Sequence, residues 1–206
     1  MTSRKAVLIP TGVANVASIA AALHRADLET RTASTAADIL DADLAVLPGV
    51  GSFDAGREAL ARTGFDTALL ARIADDRPTL AICLGFQLLL EGSDESRRGL
   101  PGLCVFEGRA RRFPGEVRVP HLGWNLIEAP SDMRFVQSGA AAFAHSYRLL
   151  ERPTACRSAL CDYDSPFVAA VERGNLLACQ FHPELSGPYG KALLERFCAQ
   201  VRESAA

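Results

Sequence analysis

Apolar and polar positions along the first ninety residues fall into a repeating order of short apolar runs and longer amphipathic, alanine-rich segments. "KAVLIP" predicts a strand, followed by a helix over roughly 13–26. "LETRTA" reads as a weaker strand, "TAADIL" as a short helix and "DLAVLP" as a third strand that ends in the glycine turn "PGVGSF". Helical spacing follows over 55–61 and 65–74, and "TLAIC" gives a fourth strand. Strands separated by helix-length segments predict a parallel sheet covered on both faces.

Beyond Gly92 the pattern changes to β-rich pieces broken by Gly and Pro, such as "CVFEGRARRFPGEVRVPHLGWNLIEA" and "FVAAVERGNLLACQF". "ERGN" between two apolar runs signals a hairpin. The stretch 188–202 places Leu193, Leu194, Phe197 and Val201 on one face, which predicts a closing helix. No repeat or linker divides the chain. The fold class expected is α/β: a mostly parallel central sheet flanked by helices, three-layered and flavodoxin-like, with an antiparallel elaboration, in one domain over 1–206.

Composition narrows the chemistry. The 206 residues are 49% hydrophobic and 22% charged, ordinary proportions for a globular protein with a sizeable core. A net charge of -2 gives no global attraction for nucleic acid or an anionic membrane. The arginines of "RARRF" (Arg109, Arg111, Arg112) are expected on a solvated surface or rim. No apolar run approaches the length of a membrane span or a signal-peptide core. Six cysteines occur without a Cys-x-x-Cys pair, and none lies at zinc-finger spacing from a histidine. These features predict a reduced cytoplasmic protein with no metal and no cofactor.

"TLAICLGFQLLL" (79–90) interrupts an apolar run with Gly85 and Gln87. A strand ending in x-Cys-x-Gly before an apolar helix is the form of a nucleophile elbow, which holds Cys83 out beside a helix amino end that favours the thiolate. On this motif alone a buried structural cysteine is the commoner outcome. A nucleophile needs a base and an orienting acceptor, and "ACQFHPELSG" offers His182 and Glu184 directly after a strand. In an extended stretch residues two apart point the same way, so the imidazole could take the thiol proton while the carboxylate holds its other N–H. A surface His–Glu pair is the plain alternative. "LPGVGSF" then supplies a glycine loop on a neighbouring strand, so that Val50 or Gly51, with Leu84, would donate backbone N–H groups to an oxyanion.

Cys-Leu-Gly-x-Gln followed much later by Phe-His-Pro-Glu resembles the class I, triad-type glutamine amidotransferases over essentially the whole chain. "VPHLGWN" (119–125) and "AFAHSYR" (142–148), with "PGVGSF", narrow the resemblance to the glutaminase subunits of imidazole glycerol phosphate synthases in histidine biosynthesis. The resemblance implies that Cys83 attacks the side-chain amide of L-glutamine and forms a thioester, with His182 as base and acid and Glu184 as its orienter. It implies glutamine contacts at Gly51, Gln87, His145, Ser146 and Tyr147. Ammonia would pass to a (β/α)8-barrel cyclase subunit docked near Asn15, Pro120, His121 and Trp124. A glutaminase subunit of another ammonia-channelling synthase, or a non-catalytic protein on this fold, are the competing readings. Three positions depart from the family pattern: Ala81 stands for the first glycine of the elbow, Ala14 for a glycine of the first turn, and Leu185 for the lysine after Phe-His-Pro-Glu.

Overall fold

The computed structural model describes residues 4–12, 16–49 and 51–204, with side chains described up to residue 199. In chain order the elements are β1 (Arg4–Leu8), α1 (Ala17–Arg25), β2 (Leu28–Thr32), α2 (Ala36–Asp41), β3 (Leu44–Leu47), α3 (Phe53–Thr63), α4 (Phe65–Ala74), β4 (Thr79–Ile82) and α5 (Leu84–Leu88). There follow β5 (Gly92–Ser93), β6 (Arg109–Arg112), β7 (His121–Glu128), β8 (Gly139–His145), β9 (Tyr147–Arg148), β10 (Arg157–Tyr163), β11 (Ser165–Arg173), β12 (Leu176–Cys179) and α6 (Gly187–Ser204).

The main sheet has the order β2-β1-β3-β4-β12-β11-β10-β7-β8. From β2 to β12 every pairing is parallel, and from β12 to β8 every pairing is antiparallel. Strands β3, β4 and β12 are buried at every position, because both faces are covered, and so they read as continuous apolar runs rather than alternating ones. Alternate residues serve two cores. Leu8, Val46, Leu80 and Leu177 pack with Ile19 and Leu23 of α1 and Leu193, Leu194 and Phe197 of α6. Val7, Ala45, Ala81 and Ala178 pack on the other face with Ile39, Leu60 and Leu69 of α2, α3 and α4. Val201 of the predicted apolar face lies beyond the described side chains.

The predicted elements recur with shifted ends. The first helix is shorter than expected, starting at Ala17, while 13–15 lie outside the described residues. The short helix α2 is closed by a capping box: the Thr35 hydroxyl accepts from Asp38 N at 3.2 Å, and the Asp38 carboxylate accepts from Thr35 N at 2.9 Å. The "ERGN" hairpin joins β11 to β12 with Arg173 opposite Leu176. The "RARRF" arginines lie on β6 and face outward around buried Ala110, in a small sheet of order β5-β6-β9.

A candidate active site at the end of the parallel strands

Cys83 stands between β4 and α5 with φ 51° and ψ -107°, a left-handed setting that costs a non-glycine residue about 1–3 kcal/mol. Two glycines make that turn possible. A Cβ on Gly85 would lie 2.1 Å from the carbonyl oxygen of Leu47, and one on Gly49 would lie 2.2 Å from that of Ile82. The loops after β3 and β4 therefore pack backbone against backbone. Cys83 is the residue before the helix that follows, at the expected amino end, but that helix is only five residues long. Ala81, where the family pattern has glycine, is fully buried and its methyl group joins the second core.

His182 and Glu184 come from the end of the next strand in the sheet, β12. His182 N donates to the Ala142 carbonyl at 2.9 Å, and Ser186 Oγ donates to the His182 carbonyl at 2.6 Å. The segment is not extended as expected. Pro183–Leu185 forms a single 3-10 turn, and that turn brings the Glu184 carboxylate back to His182, Oε1 to Nδ1, at 2.8 Å. Nε2 is thereby left for Cys83. Burial alone would push the imidazole pKa down, but hydrogen bonds and charges from Cys83 and Glu184 outweigh it and raise the pKa to about 10. His182 is thus held in its charged form beside the Cys83 sulfur.

Cys83, His182, Gly49, Gly51, Leu84, Gln87, Glu95, Pro120, Ala144, His145, Ser146, Tyr147 and Leu185 line one open cleft of about 410 Å³. All five residues expected to contact glutamine are among them. Gly51 has φ 113°, a conformation that favours glycine, and Leu84 directly follows the sulfur. Val50 of the expected oxyanion donors, and Asn15 of the expected partner contacts, lie outside the described residues.

Other expectations change. Gln87 has a structural partner set that the sequence did not reveal: its Nε2 donates to the Tyr147 carbonyl and to Gln180 Oε1, each at 3.0 Å. His121 is not a surface group. It is 3% exposed, stacked between Tyr163 and Phe143, with Nδ1 3.0 Å from Nε2 of His145. The expected partner contact at His121 is corrected accordingly: its ring is interior because β7 alternates. Leu122, Trp124 and Leu126 take the outer face instead, with Trp124 59% exposed. Glu95 escaped the sequence analysis. Among the described residues it is the one carboxylate lining the cleft, and its Oε2 accepts from Phe53 N at 2.7 Å. No local motif marks it. Among the described residues no group of His, Cys, Asp and Glu is arranged to hold a metal ion, and no helix is long and apolar enough to cross a membrane.

Comparison with known proteins agrees with this geometry. The family model for class-I glutamine amidotransferases matches residues 7–201. The chain is 41% identical to the imidazole glycerol phosphate synthase subunit HisH of Deinococcus radiodurans, covering 93% of this chain and 91% of that protein. It is 40% identical to the HisH of Symbiobacterium thermophilum, covering 95% and 93%. It is also 40% identical to the chloroplastic imidazole glycerol phosphate synthase hisHF of Arabidopsis thaliana, where 92% of this chain spans 33% of that longer protein. A solved glutamine amidotransferase structure shares the fold at a TM-score of 0.76 with 17% identity, covering 95% of this chain and 98% of the other. With a family match over nearly its whole length and relatives of this likeness, the chain belongs to the class-I glutamine amidotransferases, among the HisH subunits of imidazole glycerol phosphate synthase.

Proposed function

We propose that this chain is the glutaminase subunit of an imidazole glycerol phosphate synthase, with Cys83, His182 and Glu184 as its catalytic triad. The observation that carries the reading is the meeting of Cys83 and His182, from two adjacent strand ends, in one cleft, with the Glu184 carboxylate on the far ring nitrogen of His182 at 2.8 Å. The Cys83 thiolate attacks the side-chain amide carbon of glutamine, and the oxyanion forms against backbone N–H groups of the Gly51 loop and Leu84. His182 gives its proton to the leaving nitrogen, which departs as ammonia, and a glutamyl thioester remains on Cys83. The thioester carries no charge on sulfur, so one of the influences that raised the His182 pKa is gone. The neutral imidazole then takes a proton from the attacking water, and glutamate is released. Glu184 holds the ring orientation throughout.

The α-ammonium of the substrate needs an anionic contact, and Glu95 is the carboxylate placed in the cleft to supply it. Ammonia released into water would be protonated and lost as a nucleophile, so the cleft must open into a partner. On the outer face of the β7–β8 hairpin, Leu122, Trp124 and Leu126 stand opposite Ala144, Ala142 and Ala140. This apolar stripe begins beside Pro120 at the rim of the cleft, which suits docking of the cyclase barrel. That subunit would use the ammonia to make imidazole glycerol phosphate and aminoimidazole carboxamide ribotide. Cys83, Cys104, Cys156, Cys161 and Cys179 are free thiols, which suits a cytoplasmic location. An electrophilic glutamine analogue incubated with the assembled complex should label Cys83 by mass spectrometry. Labelling elsewhere, with Cys83 untouched, would remove the basis of the reading.

A further inference from the structure

Behind the nucleophile lies a buried carboxamide that the mechanism above leaves unused. Gln180 follows β12, is fully buried, and is anchored by its backbone N–H to the Ala169 carbonyl at 2.8 Å. Its Nε2 lies 3.6 Å from Cys83 Sγ, and its Oε1 lies 3.0 Å from Gln87 Nε2. A full hydrogen-bond chain fixes which way this amide points. The Tyr147 carbonyl is an acceptor only, and it takes both the Gln87 amide at 3.0 Å and His145 Nδ1 at 2.9 Å. The atom of Gln87 facing Tyr147 must therefore be its NH2 group. The same NH2 group faces Gln180, so the near atom of Gln180 is oxygen, and the NH2 group of Gln180 is turned to the sulfur. His145, protonated on Nδ1, can only accept at Nε2, where His121 Nδ1 donates.

We propose that Gln180 is a further catalytic group, whose carboxamide N–H donates to the Cys83 sulfur and stabilises the thiolate that attacks glutamine. A thiol sulfur is a weak acceptor and a thiolate a strong one, so the contact strengthens as charge forms. On attack the sulfur lone pair becomes the new C–S bond. When water cleaves the thioester the C–S bond breaks, the electron pair returns to sulfur, and the same N–H receives it. Protons move only through His182. Gln180 stays neutral, exchanges no atom with substrate, and is preorganised by Gln87 and Tyr147.

The proposal rests on Cys83 as nucleophile, and the measurement that decides it needs no glutamine. Alkylation of Cys83 by iodoacetamide, followed by mass spectrometry across pH, reports the thiolate fraction in the assembled complex. The titratable groups around the sulfur are His182, Glu184, Cys179, His145, Tyr147 and Glu95, and all are kept. Gln180→Met should move the midpoint of the alkylation curve upward by about one pH unit, about tenfold less thiolate at a pH below the midpoint. Gln180→Glu should move it further, because a carboxylate repels the thiolate. For Gln180→Met, kcat should fall while KM for glutamine stays within about twofold. A folded Gln180→Met protein whose curve overlays the parent's would overturn the proposal, whether or not its kcat has fallen. Should both Gln180 variants fail to fold, Gln87→Met decides: it frees the Gln180 amide to turn, and an unmoved curve overturns the relay. A shifted curve in a complex that never hydrolyses glutamine would keep the relay and reject the glutaminase reading.

Discussion

Glutamine carries a carboxylate and an ammonium at one end and the scissile amide at the other, so a cleft that selects it needs a charged contact remote from the sulfur. Glu95 meets that requirement. Glu95→Gln keeps an oxygen for the 2.7 Å bond from Phe53 N but removes the charge. Steady-state kinetics should show KM for glutamine rising roughly tenfold to a hundredfold, with kcat changed much less, as expected when a charge-assisted contact made equally in ground and transition states is lost. An unchanged KM would take Glu95 out of substrate binding. At this scale the sequence was informative where chemistry is concentrated in short motifs: Cys83, His182 and Glu184 each lie within two residues of the glycine or proline that shapes their turn. It was silent on Glu95, on Gln180 and on the partners of Gln87. Those contacts join residues 42, 97 and 60 positions apart and leave no local spacing to read.

Strands β7 and β8 meet through the His121–His145 pair, and this pair makes an element-scale prediction about pH. Burial pushes His121 down to about 4; it pushes His145 down to about 3, against a smaller upward effect of the Tyr147 carbonyl. A proton on His145 Nε2 would also set its N–H against the one that His121 Nδ1 donates. In the unfolded chain both titrate near 6.5, so between that pH and the folded values the unfolded state binds more protons. Stability is therefore present above about 6.5 and declines as pH falls towards 4. His182 acts in the opposite sense, its contribution being lost as pH rises through about 10. Urea unfolding at pH 7 and pH 5 should show a loss on the order of 1–3 kcal/mol on acidification, reduced in His121→Phe. Equal losses in the two proteins would dismiss the pair as the cause. The strands were legible because period-2 and continuous apolar runs are local signals. The two-residue strands β5 and β9 were not, since so short a pairing is decided by what lies beside it. The turn at Pro183–Leu185 was read as extended because proline suits both conformations.

For the whole molecule, the sheet changes from parallel to antiparallel at β12, the strand that leads into His182. The parallel half carries the nucleophile and the glycine loop, while the antiparallel half carries the histidine pair and the apolar stripe. The alternation of covered elements predicted this two-part α/β layout, but not which face of β7 would be left open, because alternation alone would bury Leu122, Trp124 and Leu126 and expose His121, Gly123 and Asn125. Leu122→Asp with Trp124→Ser should abolish co-elution with the cyclase subunit on gel filtration and leave the thermal midpoint within a few degrees, since these side chains are already solvated. Retained co-elution would place the partner elsewhere. The central claim is that this cleft hydrolyses glutamine through Cys83 for a bound partner. Glutamate release should be measured with and without the cyclase subunit and its nucleotide substrate, for the parent chain and for Cys83→Ala. The account predicts turnover that depends on the partner and falls by at least about a thousandfold in Cys83→Ala. Glutamate release by the Cys83→Ala complex at the parent rate would contradict it.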